Sequence, residues 1–408
     1  MRATTLINKC LGLQGLWVSG VQFTDRELLI RCRKRGTKGF CPICGKRVKT
    51  FYDHHERTWR HLSVFGLVTY LLVTVRRVNC PRCGVRVESV PWARHDSDFT
   101  RPFEDAVAWL LRKTNQTAVS RWFGIAWATV GNIAKRIVEE LLDPARLKGL
   151  EAIGVDEFGF GHGKVITLVV NHVTGGLIWA EEGKGSEVLG KFFRTLGKKG
   201  REGIRLVTMD MDAGYRKAVQ EWLPKAAIEY DPFHVTKLVI EALDEVRRME
   251  INNTKAVLPG VLGRLMHALR KNPWNLKDEE AKSLREISRA NQRIYRAYLL
   301  KECILKVYQY AYPGAAEKWL KKAINWAARS RLKPFVRLSR TLRKHLDGVM
   351  AFLKTGFSNA VLESTCRHLR LLNARAYGYA SAEAFIAMAH LHRGCIHIEL
   401  PWDHPQIL

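Results

Sequence analysis

Two cysteine pairs stand out by residue type and spacing: Cys41-Pro42-Ile43-Cys44-Gly45 and Cys80-Pro81-Arg82-Cys83-Gly84. Each C-P-x-C-G segment sets two thiolates on one side of a tight turn. Proline sets the turn, and glycine admits the backbone geometry that lets amides face sulfur. Two such knuckles close a four-thiolate zinc site with no open position, which makes the metal structural. Cys41, Cys44, Cys80 and Cys83 are therefore the predicted zinc ligands. The other five cysteines are scattered, so the pattern points to metal ligation in a reducing compartment rather than a disulfide framework. His54 and His55 lie between the knuckles and read as surface or phosphate-contacting residues, because four thiolates already fill the site.

Carboxylates form the second group. Asp156, in Ile153-Gly154-Val155-Asp156-Glu157, sits in an apolar strand pattern, where an acid is costly to bury unless a cation or partner compensates it. Glu157 falls on the opposite strand face. Asp210 and Asp212 end another strand pattern and share parity, so alternation does not separate them. Asp210 lies closer to the apolar run, and Asp212 is placed to cap a helix beginning near Ala213. Glu363 falls early in a helical pattern after a long helical stretch. Three acids suit in-line displacement at phosphorus, where two Mg²⁺ ions about 3.5–4 Å apart activate the attacking oxygen and stabilise the leaving one. Mg²⁺ prefers carboxylate oxygens and keeps several waters, so a few acids on adjacent elements suffice.

The elements that must position these groups follow from periodicity. Residues 1–100 are β-rich, with 16–23 and 27–34 reading as a hairpin, 63–75 as a strand and 90–102 as an irregular linker. Residues 103–142 form three short amphipathic helical blocks that fit a helix-turn-helix. Thr129 is read as the N-cap of its recognition helix, with Asn132, Lys135 and Arg136 on the exposed DNA-facing side. Residues 150–231 contain five strand patterns and two helical blocks, three strands in succession and then alternation, which implies a mixed α/β sheet. Residues 233–355 are almost wholly helical and basic, and Trp274, Trp319 and Trp326 within them read as core residues.

Lys plus Arg number 67 against 39 Asp plus Glu, giving a net charge of +28 over 408 residues. A chain this basic calls for an anionic partner, nucleic acid or a membrane surface. Its longest uncharged apolar run is shorter than the roughly 20 residues that span a bilayer, and the N-terminus lacks a signal-peptide core. The expectation is a cytoplasmic, nucleoid-associated protein without a membrane partner.

Taken together, the paired knuckles, the helix-turn-helix block, GVDEFGFGHG, TMDMDAGYRKAV and SNAVLESTCRHLRLLNARAYGYASAEAF resemble the ISL-three family of insertion-sequence transposases over nearly the whole chain. The resemblance implies an RNase H-like DDE catalytic domain with Asp156, Asp210 and Glu363 as magnesium ligands. It implies a role for His234, in Asp231-Pro232-Phe233-His234, at the active site or scissile phosphate, and a DNA phosphate contact for Arg370. Two departures from relatives are visible: no glycine stands near Glu363, and few lysines follow it.

The expected architecture is thus a multidomain α/β protein. It comprises a zinc-ribbon DNA-binding domain (1–100), a helix-turn-helix domain (101–148), the first part of an RNase H-like core (149–249), a helical insertion (250–355) and the C-terminal part of the core (356–408). The expected function is metal-dependent cleavage and strand transfer at terminal inverted repeats, on double-stranded DNA that includes the target, by a homodimer. A non-catalytic DNA-binding regulator and a structure-selective nuclease are the alternatives.

Overall fold

A computed structural model of the chain describes residues 3–64, 66–161, 163–253, 266–357, 359–400 and 403. By packing, the chain forms two compact units: Met1–Asp143 with Arg375–Tyr377 and Ala384–Leu408, and Pro144–Ala374 with Gly378–Glu383.

In the first unit, helix α1 (Ala3–Leu11) precedes strands β1 (Leu16–Phe23) and β2 (Glu27–Lys34), which form the expected hairpin. The strands β5 (Phe51–Val64) and β6 (Leu67–Cys80) make a long antiparallel hairpin, and the sheet runs β1-β2-β6-β5, with β7 (Gly84–Val87) also on β6. Residues 63–75 were expected as one strand; instead the chain reverses within them, at Gly66, whose φ of +80° suits glycine. Side chains alternate in and out on both sides of this turn, so periodicity alone does not register it. Leu28, Ile30, Leu71, Val73 and Val75 form the core around Trp59 and Trp92, whose rings meet edge-on at 5.8 Å.

The segment after the ribbon is more than a linker. Arg94 is buried and donates to Glu104 at 3.3 Å and Asp105 at 2.7 Å, and it also pairs with Glu140. Arg136 donates to the same Glu104 at 2.6 Å, and Ser97 does so at 2.7 Å. Glu104 lies on helix α2 (Arg101–Leu111), and Arg136 and Glu140 lie on α4 (Trp127–Leu141), with α3 (Gln116–Phe123) between them. This network joins the segment to the helical module.

In the second unit, the five strands fall where the sequence places them: β8 (Ala152–Gly161), β9 (Lys164–Asn171), β10 (Leu177–Glu182), β11 (Leu206–Met209) and β12 (Ala227–Tyr230). Their order is β10-β9-β8-β11-β12. The first three are antiparallel, and β11 lies between β8 and β12 and is parallel to both, which is the RNase H-like arrangement. Helices α5 (Ser186–Glu202) and α6 (Ala213–Trp222) make the crossovers. After β12 come α7 (Pro232–Asn253), α8 (Asp278–Ala290), α9 (Gln292–Leu305), α10 (Pro313–Arg329), α11 (Lys333–Lys344), α12 (Leu346–Thr355) and α13 (Ala360–Arg375); the last helix, α14 (Ala382–Arg393), belongs for most of its length to the first unit.

The helical stretch does not build a separate core. One buried cluster runs from Val155, Val207 and Met209 of the sheet to Leu300, Leu320, Phe335 and Leu342 of the helices. Helix α12 lies against β12 so closely that a Cβ on Gly348 would sit 2.3 Å from the Tyr230 ring. Trp319 is partly buried and donates to the Cys303 carbonyl at 2.7 Å, whereas Trp274 and Trp326 are exposed at 63% and 39%, against the core expectation. The buried stripe of α10 is Ala316, Leu320, Ala323, Ile324 and Ala327, and Trp326 falls beside it rather than on it.

Glu104 has no exposed side-chain surface and compensates two arginines, so removing it takes one of three carboxylates from buried Arg94 and the carboxylate that half-buried Arg136 turns to. Glu104→Ala should lower the stability of the N-terminal unit by about 3–5 kcal/mol, read by denaturant unfolding; a loss within error of zero would contradict this account.

Candidate active site and metal centre

The geometry of the site begins with strand register. Val155 on β8 pairs with Met209 on β11 in a parallel ladder, so Asp156 and Asp210 follow side by side where these two central strands run on toward their C-terminal ends. Asp156 accepts from its neighbour's amide, Glu157 N, at 2.8 Å through Oδ1. Its Oδ2 accepts from the Cys366 thiol on α13 at 3.0 Å. Burial pushes the Asp156 carboxyl above its ordinary range; the Cys366 thiol opposes the rise and the Asp210 charge adds to it. Glu157 is exposed on the other strand face and pairs with Lys184 at 3.7 Å.

The structure separates Asp210 from Asp212. Asp212 is the N-cap of α6 and accepts from Tyr215 N at 2.9 Å, so its oxygen serves the helix end. Asp210 instead forms an ion pair with His234 Nε2. His234 lies in the first turn of α7, whose start is held by Asp231: Oδ1 accepts from Phe233 N at 2.9 Å. Burial lowers the proton affinity of His234, but its bond to Asp210 and the charges of Asp210, Asp231 and Asp156 outweigh that, and its pKa is raised overall.

Glu363 lies in the first turn of α13 and is exposed. One turn on, Cys366 faces the sheet and reaches Asp156, with Leu362, Thr365 and Leu369 buried beside it. Arg370 is exposed, and the helical repeat sets it on the Glu363 side of the helix. Asp156, Asp210 and Glu363 are thus carried on neighbouring elements without closing to mutual ligand spacing. Among the described residues, the one set of three or more candidate ligands whose donor atoms all lie within 4.8 Å is Cys41, Cys44, Cys80 and Cys83.

That cysteine set fits a zinc ion by its own chemistry. The first knuckle lies between the short strands β3 (Gly39–Phe40) and β4 (Arg47–Val48), and the second joins β6 to β7. Gly45 and Gly84 take φ of +68° and +75°, as the knuckle turn requires. Backbone amides of Arg82 and Cys83 face the Cys80 sulfur and help lower its thiol to about 7, whereas burial and the neighbouring Cys41 and Cys44 push Cys83 up to about 12.

In the helical module, Asn115 caps α3 by accepting from Ala118 N at 2.9 Å. Gly124 is left-handed at its end, and α4 begins at Trp127. Thr129 is therefore inside the helix rather than its N-cap, which is Ala126. Asn132 is exposed and Thr129 and Lys135 are half-buried, whereas Arg136 turns inward to Glu104 and does not stand on the open face expected of it. The sequence reading also passed over Cys366, Asn359 and Thr208. Cys366 follows Glu363 at helical spacing and Thr208 shares strand parity with Asp210, so both carried a signal.

A zinc knuckle pair, a helix-turn-helix and an RNase H-like sheet with paired aspartates define the class: a DNA transposase of DDE type. The family models agree over their several segments: "Transposase" of the ISL3 DDE type matches residues 153–389, "Helix-turn-helix domain of transposase family ISL3" residues 88–138, and "zinc-finger of transposase IS204/IS1001/IS1096/IS1165" residues 37–83. The chain belongs to the ISL3 family of insertion-sequence transposases. It is 35% identical over 398 residues to the transposase for insertion sequence element IS1557 of Mycobacterium tuberculosis, covering 90% of this chain and 89% of that one. It is 28% identical over 387 residues to the transposase for insertion sequence element IS1001 of Bordetella parapertussis, covering 92% and 94%. Among the described residues, no helix is long and apolar enough to cross a membrane.

Two measurements test this site. Chelation of zinc should raise hydrogen exchange across residues 39–48 and 78–87, and added Zn²⁺ should restore protection; unchanged exchange would remove the structural role. The His234 imidazole should titrate above its ordinary value of about 6.5, and Asp210→Asn should bring it down. By sign, the pair's stabilisation is full below that ordinary value and is lost as pH rises through the elevated one. An NMR titration showing the same midpoint in both proteins would refute the pairing.

Proposed function

We infer that the protein cuts the ends of its insertion sequence and joins them to target DNA by metal-dependent displacement at phosphorus, with Asp156, Asp210 and Glu363 as the ligands of two Mg²⁺ ions. The observation that supports this most is the register of β8 with β11, which sets two carboxylates side by side where the Asp210 charge adds to the cost of ionising Asp156. A divalent cation relieves that repulsion, and carboxylate oxygens are the donors Mg²⁺ prefers. When bound, the ions supply activation of the attacking oxygen and stabilisation of the leaving one.

The chain's own residues do the rest. Asp156 would hold the metal through its carboxylate oxygens, one of which accepts from the Cys366 thiol at 3.0 Å. His234 holds Asp210 in place, and when protonated it places positive charge beside it, suited to a scissile phosphate. Glu363 and Arg370 share one side of α13, so an acid and a phosphate-binding cation are presented together. In the helix-turn-helix, Thr129, Asn132 and Lys135 face the terminal inverted repeats, and the zinc ribbon adds basic strands to the grip. The five sequence segments 1–100, 101–148, 149–249, 250–355 and 356–408 correspond in this reading to the functional modules. Joining two ends calls for a homodimer on DNA, and the charge of +28 suits residence at the nucleoid.

The test is cleavage of duplex carrying the DNA that borders the reading frame. Asp156→Ala and Asp210→Ala should each reduce Mg²⁺-dependent cleavage by about 10²–10³-fold or more while leaving end binding intact. Cleavage by Asp156→Ala at the parent rate would sink the catalytic assignment. End binding without metal-dependent nicking by the parent protein would mark a regulator, and cutting of branched DNA regardless of end sequence would mark a structure-selective nuclease.

A further inference from the structure

The start of α13 is held by a chain of hydrogen bonds whose direction is fixed. Thr208, buried on β11 two residues before Asp210, donates its hydroxyl to Asn359 Oδ1 at 2.8 Å. Asn359 Nδ2 in turn donates to Asp231 Oδ2 at 3.2 Å, the oxygen of that carboxylate not engaged by Phe233 N. A carboxylate only accepts, so the Asn359 amide is oriented one way: nitrogen to Asp231, oxygen to Thr208. Having donated its one proton, Thr208 accepts from His172 Nε2 at 2.7 Å. His172 is buried on the far side, with Nδ1 unpartnered and the Phe357 ring edge-on at 5.1 Å. Burial lowers His172 to about 4, so the ring is neutral and carries its proton on Nε2.

The bonds close a loop through the candidate site. Asp210 and Thr208 are at the end of β11. His234 and Asp231 are at the start of α7, and His234 pairs with Asp210 while Asp231 holds Asn359. Asn359 then gives its backbone carbonyl to Glu363 N at 3.0 Å, the bond that starts α13. The side chain of Asn359 is thus committed to β11 and α7 and not to capping its own helix, although Asn is a preferred cap.

We propose that Asn359 is a positioning residue for the third carboxylate: its side chain clasps the start of α13 to β11 and α7, and its carbonyl sets where Glu363 stands relative to Asp156 and Asp210. This rests on the reading of Glu363 as a metal ligand. A helix turns 100° per residue and rises 1.5 Å, so a slip of one residue at the clasp would swing Glu363 away from Asp156 and Asp210. Cys366 on Asp156 is a second tether one turn on, but it engages a candidate ligand itself, whereas the Asn359 clasp engages none of the three acids.

The test uses the full chain and Mn²⁺ alone as probe, with binding followed by electron paramagnetic resonance, beside cleavage of bordering duplex DNA. Asn359→Ala should weaken Mn²⁺ by about tenfold and raise the metal concentration for half-maximal cleavage in parallel, with end binding unchanged. Thr208→Val keeps the side-chain shape and removes the donor, so it should act in the same direction; Thr208→Ser should restore parent affinity. A purely structural role would lower the thermal midpoint without moving Mn²⁺ affinity in the folded protein. Glu363→Gln serves as reference. If Glu363→Gln is impaired while Asn359→Ala and Thr208→Val bind Mn²⁺ like the parent, the positioning role is overturned and the metal site stands. If Glu363→Gln itself binds and cleaves like the parent, the metal-site reading falls and this inference with it.

Discussion

The pairing of β8 with β11 is the constraint on which the candidate site depends. A parallel ladder carries no choice of partner once its register is set, and this register makes Asp156 and Asp210 neighbours. Two like charges on adjacent central strands are unfavourable unless something compensates them. In the protein itself the compensation is local and partial: a thiol hydrogen bond to one acid and an imidazole to the other. The two partners come from different helices, His234 from α7 and Cys366 from α13, so both helices are tied to the ends of β8 and β11.

Charge is organised by a similar rule in the N-terminal unit. The chain is strongly basic, yet its buried acids are fully committed. Glu104 gathers Arg94, Arg136 and Ser97, and Glu88 gathers Lys34 and Arg76. Each acid has no exposed side-chain surface. Acids placed inside neutralise the arginines that hold helix to strand and leave the remaining cations outward, where a polyanion is met. This is why Arg136 is a poor candidate for a DNA contact although it lies on the recognition helix.

Much of this was legible in the sequence, and the limits of legibility have physical causes. The knuckles were legible because zinc geometry dictates both residue type and spacing. The five strands were legible because a sheet covered on both faces demands apolar runs. Asp156 stood out as an acid inside such a run. Asp210 and Asp212 could not be told apart by parity, and the helix cap made by Asp212 separates them only in three dimensions. The turn at Gly66 was hidden because alternation persists through a hairpin. Trp274 and Trp326 misled because bulk and apolarity suggest burial, while the helix face on which each falls decides it. The Asn359 clasp joins residues 151 positions apart, and no local pattern encodes that.

The helical stretch before α13 gains a structural meaning from how it ends. Gly348 lets α12 come against the Tyr230 ring, a contact that any larger residue would obstruct. At the other end of the same helix, Thr355 donates to the buried Glu229 carboxyl at 2.6 Å, so α12 is fastened to β12 along its length. Four residues later the chain reaches Asn359, and four further on Glu363. A long excursion between Asp210 and Glu363 keeps the start of α13 in place only if its return is fixed, because loop-closure entropy grows only slowly with length and does not by itself set where the chain comes back. The return here is fixed three times, at Gly348, at Thr355 and at Asn359, and each fastening is to β12 or to the elements flanking it. The excursion can therefore vary in its outer helices without moving Glu363, since the distance from the last fastening to the carboxylate is a single helical turn.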